Sequence, residues 1–243
     1  MFGKVIYFDK DKINEYKSVV LGEKNCVITE VSVANDKGVG LNFSVASGNV
    51  KASKNYNAQI QESLLLECSE FEKILGEKRD DYLDFTVTDG YDIERIPRGY
   101  IIKLDGILNI PENFDVSETL FKYKKFIIDE NDEYAALLDN KEPKIPLTIE
   151  VDGELLCAKI DISNLKIEYV ELEDYENIEV TILARMISNK KISSKKCIYD
   201  PLKDYVTLNR QLRRHFSNDR PKELSEIYAD EDYYMIEIIA MYQ

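Results

Sequence analysis

The sequence predicts an α+β fold: a mixed or antiparallel sheet with helices packed on it, and a β-rich C-terminal half that can curl into a small barrel. Three observations carry this. The β-branched and aromatic run "VIYFD" feeds straight into helical periodicity, with Ile13, Tyr16, Val19 and Val20 on one face until Gly22. Helical spacing returns in Ile60, Leu64, Cys68, Phe71 and Leu75. Beyond residue 144 the apolar positions mostly alternate with the period of a strand.

Taken in order, the opening strand and helix are followed by residues 26–34, "CVITEVSVA", a half-buried strand. Residues 35–38 make a turn. The small-residue stretch holding Leu41, Phe43, Val45 and Val50 reads as a hairpin turning near Gly48, or as a loop. Asn57 is placed to cap the second helix and Gly76 to end it. "DYLDFTVT" alternates Leu83, Phe85 and Val87 against polar positions, as a strand would. The strong strand "YIIKLDGILNI" is bent or turned back by Asp105-Gly106 and stopped by Pro111. Asp115 and Glu118 form a capping box before a helix carrying Val116, Leu120, Tyr123 and Ile127, and a short acidic helix follows around Tyr134.

The polar stretch 141–146, holding Pro143 and Pro146, divides an N-terminal α+β unit (1–140) from a β-rich unit (145–243); the two can also form one compact body. In the second unit, "LTIEV" and "ELLCAKI" flank Asp152-Gly153 as a hairpin. "LKIEYVEL" and "NIEVTILARMI" read as strands, and Tyr205, Leu208, Leu212 and Phe216 as a helix. "YYMIEIIAMY" is apolar enough for a central strand despite its terminal position.

The formal net charge of −14, from 46 acidic and 32 basic residues, opposes non-specific binding to nucleic acid or anionic membrane. The N-terminus has no signal-peptide core, and no apolar run reaches membrane-spanning length. Cys26, Cys68, Cys157 and Cys197 lie far apart with no C-x-x-C pair, as reduced thiols of a cytoplasmic protein would.

Three segments together carry a family likeness: "VIYFDKDKINEY" at the start, "GYIIKLDGILNIPENFDV" in the middle and "MIEIIAMYQ" at the end, with "IEVTILARMI" as a further strand. The chain resembles, from about residue 5 to residue 242, an uncharacterised bacterial family, domain of unknown function 6414. Ala184 stands where the family pattern has glycine. The resemblance implies a globular bacterial protein that works beside the product of a neighbouring gene, in a stress or phage-defence operon. It supplies no catalytic residues.

Most familiar chemistries find no footing in these residues. His215 is the only histidine and lies among arginines in "RQLRRHF", which disfavours its protonated form. No G-x-S-x-G elbow is present, and one histidine with four scattered cysteines fits no zinc spacing. No cofactor is implied. Asp9, Asp11 and Glu15 lie at a strand-to-helix junction where a hard cation such as magnesium can be held for hydrolase or nuclease chemistry; capping of the helix explains the same residues. Glu15-Tyr16-Lys17 and Glu142-Pro143-Lys144 match a nuclease Glu-x-Lys by letter but not by context, and 129–134 lacks the glycine of a calcium loop. Gly38-Val39-Gly40 opens no dinucleotide fingerprint.

The one basic stretch joins Lys190, Lys191, Lys195 and Lys196 to Arg210, Arg213 and Arg214. On a barrel it can line a path for nucleic acid, or dock an acidic protein surface, or merely keep a turn and a helix end soluble. The acidic blocks at 171–176 and 230–232 read as solvated turns that can also meet a basic partner. The expectation is therefore a non-catalytic interaction or regulatory protein whose partner is another protein encoded nearby. Metal-dependent hydrolysis at Asp9, Asp11 and Glu15 and nucleic-acid binding through 190–214 stand as alternatives, the latter disfavoured by the net charge.

Overall fold

The computed structural model describes residues 3–21, 64–77, 79–87, 92–111, 114, 144–205, 208, 210–216 and 225–243. β1 (Val5–Phe8) is buried at every position and leads through Asp9 into α1 (Lys10–Leu21). α2 spans 64–77. β2 (Tyr82–Asp84) is shorter than its alternation predicts, because Asp84 Oδ1 accepts both the backbone N–H (3.0 Å) and the hydroxyl (2.6 Å) of Thr86. That Asx turn ends the strand and leaves Val87 exposed.

β3 (Ile101–Asn109), β4 (Lys144–Val151) and β5 (Glu154–Asp161) are successive antiparallel neighbours. β6 (Ile178–Met186) returns to lie antiparallel beside β3, which makes a Greek key. β7 (Cys197–Tyr199), α3 (Arg210–Phe216) and β8 (Ile227–Tyr228) belong to the connection that follows. β9 (Tyr233–Tyr242) then fits antiparallel against β6 and parallel against β5. The ring β3-β4-β5-β9-β6 is thus a closed five-stranded barrel. β1 extends it by pairing with the end of β9, and β2 by pairing in parallel with the start of β3. β1 and β3 precede the expected 140/145 boundary, and both are hydrogen-bonded to strands that follow it.

Each barrel strand sends alternate side chains inward: Ile102, Leu104 and Leu108 from β3 meet Ile145, Leu147 and Ile149 from β4, all buried in one cluster. Asp105-Gly106 neither reverses nor breaks β3, whose pairing with β6 runs on through both residues. Gly106 is an inward position, and a Cβ there would stand 2.5 Å from Ile149 Cγ2 and 2.7 Å from Val151 Cγ2. Pro146 is accommodated because β4 pairs with β3 only from Thr148 to Glu150, so the missing N–H falls where the strand has a single neighbour. The β4–β5 hairpin turns on Asp152 (φ 51°) and Gly153 (φ 80°), the two left-handed residues of a type I′ turn.

A second apolar layer lies outside the barrel. Val5, Phe8 and Ile13 from β1 and α1 pack with Cys68, Phe71 and Leu75 of α2 against Leu183 of β6 and Ile239 of β9. A bulge in β9 makes this contact: Leu183 pairs with Ala240 and Ala184 with Ile238, so Ile239 is the extra residue. Ile239 and Ala240 both join the helix-facing layer.

Two expectations need correction. "LKIEYVEL" is not a strand; it follows the 3-10 turn Ile162–Asn164, and its second half opens another, Tyr169–Tyr175. Leu172 and Tyr175, three residues apart, are its buried side chains, which is the spacing of that helix. The helix expected from Tyr205 to Phe216 is divided, with Tyr205 closing a single π turn (Pro201–Tyr205), Leu208 buried between, and α3 beginning only at Arg210. The expected strand at 26–34, the hairpin at 41–50, the Asn57 cap, the helices after Asp115 and around Tyr134, and Pro143 lie outside the described residues.

Gly106→Ala tests how tightly the ring is closed. Overpacking at this contact is expected to cost about 1–3 kcal/mol in urea or guanidinium unfolding. An unchanged midpoint would mean that the barrel interior has slack at β3 and β4.

Candidate functional site

Asp9, Asp11 and Glu15 share a helix but not a site. Asp9 is 4 % exposed and fully occupied: Oδ1 accepts the backbone N–H of Lys12 at 3.0 Å, and Oδ2 pairs with Lys12 Nζ at 2.7 Å and accepts the Tyr7 hydroxyl at 3.4 Å. It is the N-terminal cap of α1. Asp11 and Glu15 are exposed on that helix. Among the described residues no group of three or more His, Cys, Asp or Glu side chains is placed to hold a metal ion.

The basic stretch lies in the connection between β6 and β9, and part of its charge is already matched. Lys191 pairs with Glu154 at 2.6 Å and sits 5.9 Å from the centre of the Tyr234 ring; its hydrogen bond to Glu154 holds its pKa above the ordinary value. Arg213 pairs with Asp200 at 3.7 Å. Lys190, Lys195, Lys196, Arg210 and Arg214 are exposed. The side chain of His215 lies outside the described residues.

That same connection folds back over the outer face of β4 and β5. Tyr199 donates its hydroxyl to the carbonyl of Lys144 at 2.7 Å and meets the ring of Phe114 edge-on at 5.1 Å. Below it, Lys159 of β5 reaches Asp204 at 2.6 Å. Asp204 is only 8 % exposed, and its Oδ2 also accepts the backbone N–H of Asp200 at 3.0 Å. A buried carboxylate that holds both a lysine and a main-chain N–H fixes the insertion on the hairpin. Cys157 and Cys68 are buried beneath their respective layers, and burial pushes both thiols up to about 12. Thiolate is scarce there at neutral pH.

Beside this strap a groove of about 790 Å³ opens between the β7–β8 ribbon and the end of the barrel. The pleat determines its floor and one wall: Thr148 and Glu150 are outward positions of β4, and Leu155 faces the same way because it pairs with Glu150. Ile198 and Ile227 contribute from the ribbon, Ile110 and Pro111 from the end of β3. Asn177, held in a left-handed turn (φ 59°) by its N–H bond to the carbonyl of Leu108 at 2.8 Å, brings Glu176 to the rim. Asp230 and Glu231, in the turn between β8 and β9, complete it. All the ionisable side chains of the lining apart from Tyr228 are carboxylates: Glu150, Glu176, Asp230 and Glu231.

The sequence marks the acidic blocks that supply three of these four, but nothing in a linear reading brings them to Glu150. The signal is split between two turns and one strand. No family model matches the chain, and neither a curated protein nor a solved structure matches it.

The strap makes a clear energetic prediction. Asp204→Ala strands Lys159 and the Asp200 N–H, and is expected to cost about 3 kcal/mol in chemical unfolding. The pair Lys159→Met with Asp204→Leu should recover most of that loss, since an apolar replacement leaves no buried charge. A double variant as unstable as the single one would show that the pair itself, and not its orphaned halves, holds the insertion down.

Proposed function

We propose that the protein is a non-catalytic interaction module, of regulatory or accessory type, that docks another macromolecule on the outer face of its barrel. The groove beside β4 and β5 carries this reading. It has a largely polar lining, an acidic rim and a volume within the range of ligand sites, and it is built on a scaffold with a filled interior. A five-stranded Greek-key barrel is also the architecture of the OB-fold, which binds through the face of its second and third strands and the loops after the first and fourth. The groove occupies the corresponding place here: β4 and β5 are the second and third strands of the ring, Ile110 follows the first, and the β7–β8 ribbon follows the fourth. The correspondence concerns architecture, and chemistry must come from the groove itself. The bacterial setting and the neighbouring-gene partner follow from the family resemblance alone.

The test is co-purification of the tagged full chain from the cells that make it, followed by size-exclusion chromatography. A partner retained in fixed stoichiometry, and lost with Tyr228→Ala in the groove, is the expected result. A chain that migrates alone in every condition would overturn the reading.

A second reading has one observation in its favour, because Lys190, Lys191, Lys195, Lys196, Arg210, Arg213 and Arg214 all lie after the fourth barrel strand, in the loop that can contact oligonucleotides in such barrels. If that segment binds nucleic acid, a gel shift with single-stranded DNA must weaken steeply between low and high salt. With the acidic groove as the docking face, no salt-sensitive shift is expected.

A further inference from the structure

We draw no further inference here: the strongest candidate, the cluster of exposed carboxylates that Glu150, Glu176, Asp230 and Glu231 set around the groove beside β4 and β5, belongs to the site already described, and nothing in the structure shows what covers it.

Discussion

A ring of five strands has almost no interior, and that constraint governs the rest of the molecule. Barrels widen with strand number, so one this narrow must be filled wall to wall by its own side chains. Gly106 shows how little room remains: the side chains of Ile149 and Val151 from the neighbouring strand occupy the place where its Cβ would be. A filled barrel can hold no ligand within it. Any surface for recognition must be built on the outside, from what the strands present outward and what the connections add.

The outside is divided between two layers of different character. On the side of β1, β9, β6 and the start of β3, two helices close an apolar layer, and polar ties run across its edge: Lys103 to Glu72 at 2.8 Å, the Tyr242 hydroxyl to Glu72 at 2.6 Å, and Arg185 to Glu237 at 2.9 Å. On the side of β4 and β5, the long connection between β6 and β9 is strapped down by Tyr199 and the Lys159–Asp204 pair. The first layer is a conventional helix-on-sheet packing that hides its face. The second covers only part of its face and leaves the groove.

Charge then separates what the two ends of that connection can do. Its early part carries lysines and arginines, of which Lys191 and Arg213 are neutralised by local carboxylates. Its last turn carries Asp230 and Glu231 into the groove, where Glu150 and Glu176 already stand. Like charges brought together on a stable scaffold cost stability, and that cost is relieved when an opposite charge arrives.

The local chemistry was legible from the sequence wherever it was self-contained. The Asp152-Gly153 turn, the helical stripe ending in Cys68, Phe71 and Leu75, and the apolar density of the last strand each hold their signal within a dozen residues, and each stands in the structure. The same reading failed where the outcome depended on a distant neighbour. "LKIEYVEL" alternates like a strand, yet it becomes a 3-10 turn that buries Leu172 and Tyr175, because alternation gives a strand only where a free edge is there to receive it. Asp9 could be read as ligand or cap until Lys12 and Tyr7 were seen to fill its oxygens. The groove was the least legible of all. Its four carboxylates come from one strand, the turn before β6 and the turn after β8, and only the pairing of β5 with β9 and of β3 with β6 brings them together. Sequence alone determined which segments would be strand, turn or helix wherever neighbouring residues decide the matter. Tertiary structure decided which charges face one another, because ring closure is a contact between residues far apart in the chain.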